Sequence, residues 1–149
     1  MDDHAYHQAI RRIRRFHYLH YPAQGTLMAA LVLAAGRRTA SGTDINPQLA
    51  TWPLLFMAVG LLMLVGGLIY LISAYIRPNL RRPPTENLRL YQSRIFLRNS
   101  LLGLACLPPL AAHVLTGDGW NFVFFACLLL VPCWLAAPTA RSYQRWLIS

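Results

Sequence analysis

A chain of 149 residues that is 56% hydrophobic and only 13% charged lies far from the soluble average of about a quarter charged, which excludes an ordinary soluble domain. All 14 basic residues are arginine, against five acids, for a formal charge of +9. Because these arginines flank apolar runs instead of lining a polar helix face, they point to anionic lipid headgroups and away from nucleic acid.

Residues 1–21 are polar and then strongly basic (Arg11, Arg12, Arg14, Arg15), ending in Phe16-His17-Tyr18-Leu19-His20-Tyr21. Tyrosines and arginines gather where a helix meets headgroups, so this ending reads as an interfacial belt. His17 and His20 have the i, i+3 spacing of a metal pair, but no cysteine or carboxylate lies near them in sequence, and the belt is the stronger reading. Small apolar residues follow to Gly36. Starting the helix near Phe16 gives a first span over about 16–36; a signal peptide fits less well, because the basic lead is long and Arg37-Arg38 would follow the cleavage site.

After a polar loop, Trp52-Pro53 opens a second span over 52–76, in which no side chain is charged. A hydrocarbon core about 30 Å thick needs roughly 20 apolar residues, so this run crosses with some tilt. Gly60, Gly67 and Ala74 recur every seven residues, with Gly66 and Ser73 on the adjacent stripe. Such a small-residue face predicts close helix packing within the bundle, with contact to another subunit as the alternative.

The connector 77–94 is the most charged segment and is broken by Pro78, Pro83 and Pro84. Thr85 is expected to cap a short helix, Glu86 to Arg94, that runs into a third span over about 95–115 and carries Leu88, Tyr91 and Ile95 on one face. Pro108-Pro109 should kink that span, and Pro132 the fourth, over about 120–137. The tail 138–149 follows. Cys106, Cys127 and Cys133 all fall in predicted spans with no CxxC spacing, which signals neither a redox pair nor a zinc site and leaves them as small core residues.

Twelve arginines lie in the N-terminal lead, the middle connector and the tail, and two (Arg37, Arg38) in the first opposite loop. The positive-inside rule then places both termini in the cytoplasm. The expected object is an all-α integral membrane protein of the bacterial plasma (inner) membrane, a bundle of four transmembrane helices, N-in/C-in, with the third and fourth kinked. Each half also runs basic lead, small-residue span, loop and Trp-initiated span, a weak echo of two parallel hairpins that four-span geometry produces by itself.

Three features could carry function. Arg94, Arg98 and Arg141 sit at the cytoplasmic rim and could form a site for anionic phospholipid. His113 is an ionisable residue inside a predicted span, which either acts or bonds a carbonyl freed by Pro108-Pro109; haem ligation would need a second histidine at that depth. The third is the glycine stripe. No carboxylate lies in a span, no cysteine pair in an outer loop and no acid cluster suited to magnesium, so no catalytic residue, cofactor or metal is indicated. These features suit a non-enzymatic accessory or scaffold subunit, or a lipid-binding membrane protein. Its partners would be the bilayer, anionic phospholipids, and a larger membrane complex or further copies of itself. A small transporter or channel component whose path passes the kinked spans is the alternative.

Overall fold

The computed structural model describes residues 3–39 and 47–148, with side chains for 6–36 and 52–148. It is all-helical: α1 (Asp3–Thr39), α2 (Pro47–Tyr75), α3 (Pro84–Leu104), α4 (Leu107–Thr116), α5 (Gly119–Leu135) and α6 (Ala140–Leu147). Two stretches, Trp52–Tyr75 with mean hydropathy 2.6 and Pro84–Thr116 with 1.4, are long and apolar enough to cross a membrane. A third qualifies if α5 and α6, bent 73° apart, are taken as one broken span. The loop with Asp44, expected on the outer side, lies outside the described residues.

Proline chemistry sets most helix boundaries. α3 starts at Pro84, where a missing N–H at the first helical position costs nothing, so the boundary falls at Pro83 and not at the expected Thr85. Pro108 and Pro109 cannot donate to the carbonyls of Leu104 and Ala105. The chain therefore breaks at 105–106 and restarts as α4 with both prolines in its first turn, where a kink within one span was expected. Gly117 closes α4 at φ 69, and Asp118 caps α5 by accepting from the Trp120 amide at 3.0 Å. Pro132 sits near the end of α5, and the main change of direction comes after Leu135.

The residues after Pro138 were expected only as a tail, yet they form α6. Thr139 and Ser142 make a reciprocal capping box that starts this helix. Tyr143 and Trp146, three apart, bury one face of it, and Arg141, Gln144 and Arg145 line the other.

Two apolar clusters define the packing. Ile10 and Ile13 of α1 meet Leu88, Tyr91 and Ile95 of α3 and Tyr143 and Trp146 of α6. Further along, Tyr21 and Met28 meet Cys106, Leu110, Phe125 and Leu129. α1 therefore runs alongside α3 and α4 in the same direction, while α2 and α5 run back. The end of α2 closes on the first cluster, where Ile76 offers its carbonyl to the Trp146 indole N–H at 3.4 Å.

The glycine stripe of α2 is not a packing face within this chain. A Cβ added at Gly60, Gly66 or Gly67 would meet nothing within 4 Å. Val65 is the one buried side chain among those described on α2, and the partly covered positions Leu54, Ala58, Leu61, Ile69 and Ile72 lie on its stripe. Longer aliphatic side chains reach the neighbouring helices across a gap that glycines would leave open. Ser73 and Ala74, lower on the predicted face, are half-buried. Close approach occurs instead at Gly25 against Leu129, Gly36 against Val114 and Gly103 against Gln24. Of the cysteines expected in the core, Cys106 is buried and Cys133 half-buried, but Cys127 is exposed because it faces away from α1 and α4.

Candidate functional site: a buried polar layer

Between the two apolar clusters, α1, α3 and the end of α5 enclose a chain of hydrogen bonds. α5 stops at Leu135, so its last carbonyls lack helical partners. His17 Nε2 lies 2.7 Å from the Cys133 carbonyl oxygen. A carbonyl only accepts, so Nε2 carries the proton and Nδ1 is left as an acceptor. Asn99 Nδ2 donates to that Nδ1 at 2.9 Å, and the Asn99 Oδ1 accepts from the Tyr21 hydroxyl at 3.4 Å. His17 and Asn99 are each 1% exposed, and the neutral imidazole satisfies both.

Arg98 caps the same helix end, donating from Nη2 to the Ala136 carbonyl at 2.8 Å, where a cation also suits the negative end of the helix dipole. One turn nearer the N-terminus of α3, Arg94 donates to Ser73 Oγ of α2 at 3.2 Å. On the flank of the layer, Ser100 Oγ donates to the Phe96 carbonyl at 3.0 Å and lies 3.2 Å from His20 Nε2, which is then the donor of that pair. Gln24 Nε2 donates to the Ser100 carbonyl at 2.8 Å. Among the described residues, the buried Arg98 Nε has no hydrogen-bond partner.

The chemistry of this arrangement is positional. It holds an imidazole in one tautomer and closes a helix end. Among the described residues, no three histidine, cysteine or acidic side chains converge as a metal site. An apolar cleft of about 480 Å³ opens beside the layer between α1 and α3, with Phe16, His20 and Phe96 in its walls.

The predicted site residues are dispersed. Arg94 and Arg98 turn to separate protein partners, and Arg141 is exposed on the first turn of α6, so the three do not form one anion pocket. His113 Nδ1 lies 2.9 Å from the Asp118 carbonyl and ties the turn between α4 and α5, a different carbonyl from those freed by the prolines. His17, expected in an interfacial belt, is an interior residue. The signal for that was present: Ile10, Ile13, His17, Tyr21, Gly25 and Met28 recur at three and four residues, so His17 falls in register with an apolar stripe.

No protein-family model, no curated protein and no solved structure matches this chain, and its own geometry is what bears on its role.

Proposed function

We propose that this chain is a non-enzymatic accessory subunit of a membrane assembly, a bundle that crosses the bilayer four times with both termini cytoplasmic and uses α2 as its docking helix. The observation that supports this reading is the uncovered state of α2. Its apolar stretch of 24 residues has a mean hydropathy of 2.6, against 1.4 for the α3–α4 stretch, yet only 6% of its most apolar window is buried. The uncovered side carries Gly60, Gly66 and Gly67. Lipid tails gain little from a glycine surface, whereas a second helix can approach such a surface closely and gain dispersion contacts along its whole length.

The polar layer fits a scaffold better than a catalyst, because His17, Asn99, Tyr21 and the Arg98 Nη2 direct their hydrogen bonds at a helix end or a neighbouring helix. Co-purification from the native membrane is the test. Wild type should elute with a stoichiometric partner or as a homo-oligomer, and Gly60→Leu/Gly67→Leu should elute alone with an unchanged melting temperature. A wild-type chain that is monomeric and partner-free after mild solubilisation would remove the accessory reading.

A further inference from the structure

Beside the end of α5, α1 and α6 enclose a groove of about 470 Å³ lined by His7, Ile10, Arg11, Arg14, Pro138, Thr139 and Ala140. Ile10 and Pro138 are buried and make its floor. Arg11 and Arg14 are exposed and, three residues apart, share one face of α1. Unlike Arg94 and Arg98, neither has a hydrogen-bond or ion-pair partner among the described residues. Neither of the two acids whose side chains are described, Glu86 in the first turn of α3 and Asp118 at the start of α5, lines the groove. Among the described residues, then, the groove holds two guanidinium groups with no acid paired to them, the planar donors suited to a phosphate.

A second groove lies further along α1. Tyr18 lies one turn beyond Arg14 on α1, and with Leu130, Val131, Cys133, Trp134 and Leu135 of α5 it lines an almost wholly apolar cleft of about 530 Å³. His17, between Arg14 and Tyr18, is bonded to the last turn of α5. The basic groove lies where the chain leaves α5, and the apolar one runs beside α5 itself. Charge at the mouth and hydrocarbon behind it is the profile of one amphipathic molecule.

We propose that this α1–α5–α6 crevice binds an anionic phospholipid, its phosphate between Arg11 and Arg14 and an acyl chain along Tyr18 and Trp134. The inference rests on the reading of the chain as a membrane bundle with cytoplasmic termini, which puts the basic groove at the inner headgroup plane. It moves the lipid contact away from Arg94, Arg98 and Arg141.

The experiment uses the full chain in detergent, with phosphatidylglycerol and phosphatidylcholine as paired probes and retained lipid counted by native mass spectrometry. Two arginines near a membrane surface contribute roughly 30-fold in affinity, so Arg11→Gln/Arg14→Gln should lose phosphatidylglycerol by about that factor. Arg12→Gln/Arg15→Gln removes the same charge from outside the groove and should retain lipid as wild type does, and Arg11→Lys/Arg14→Lys should lose less than the glutamine pair. Trp134→Arg should lose both lipids without touching the basic groove. Equal loss in the two glutamine pairs, or no loss in either, overturns the site. Displacement of phosphatidylglycerol by millimolar inorganic phosphate would identify a soluble anion as the ligand and overturn the lipid assignment. Failure of the topology reading is seen separately, as labelling of a C-terminal cysteine by an impermeant reagent applied from outside intact cells.

Discussion

At the scale of single residues, the polar layer shows how a small bundle tolerates an imidazole and an amide in its interior. Each donor meets an acceptor in one direction: Tyr21 to Asn99, Asn99 to His17, and His17 to the Cys133 carbonyl. Such a chain is stabilising only when complete, because an orphaned buried group carries its full desolvation cost of about 1–3 kcal/mol. His17→Phe keeps most of the volume but leaves the Asn99 amide and the Cys133 carbonyl without partners. The expected result is a loss of about 2 kcal/mol or more, read as a lower melting temperature in detergent. Because the groups act as one network, His17→Phe/Asn99→Leu should lose less than the sum of the two single variants. Strict additivity, or wild-type stability for His17→Phe, would show that the layer does not hold α1 to α5.

At the scale of elements, glycine position separates contact from exposure. Gly25 and Gly67 both lie in apolar helices, yet a Cβ at Gly25 collides with Leu129 while one at Gly67 meets nothing. Gly25→Leu should therefore destabilise the isolated chain by about 1–3 kcal/mol through overpacking, and Gly67→Leu should leave it unchanged. Equal melting temperatures for the two variants would contradict this packing. The contrast also marks what could be read in the sequence. Helix-breaking chemistry was local and therefore legible: the prolines at 83–84 and 108–109 lie within a few residues of observed boundaries, and the Leu88, Tyr91 and Ile95 face is the buried one. Which face of α2 turns inward depended on the shape of its neighbours, so a seven-residue glycine period said that a close face exists without saying what covers it. The Tyr143 and Trp146 spacing of α6 was legible in principle, masked by the polar residues around it.

At the scale of the whole molecule, the direction of each helix follows from which ends meet. The start of α1, the end of α2, the start of α3 and the whole of α6 share the first apolar cluster or bond to it, through Tyr6 to the Ala140 carbonyl, Tyr91 to Ser142 and Trp146 to the Ile76 carbonyl. The arginines crowd this same end: Arg11, Arg14, Arg89, Arg94, Arg141 and Arg145 all belong to elements that converge there. Side-chain packing and charge therefore gather at the same end of the molecule, the end that the proposed topology puts in the cytoplasm. The weak member is α1, which is less apolar than α2 and the α3–α4 stretch. It has packing partners along its length, from Ile10 at the basic end to Gly36 against Val114 near the far end of α4, and the proposed crossing rests on these. A helix of 37 residues rises about 55 Å, enough for a membrane crossing with a basic extension at its start. Reporter fusions before Asp3, after Arg82 and at Ser149 should all read cytoplasmic, and one beside Asp44 external. If the N-terminal fusion alone reads external while the other two stay cytoplasmic, α1 does not cross, the four-span arrangement fails, and the basic groove of α1 could not lie at the inner headgroup plane.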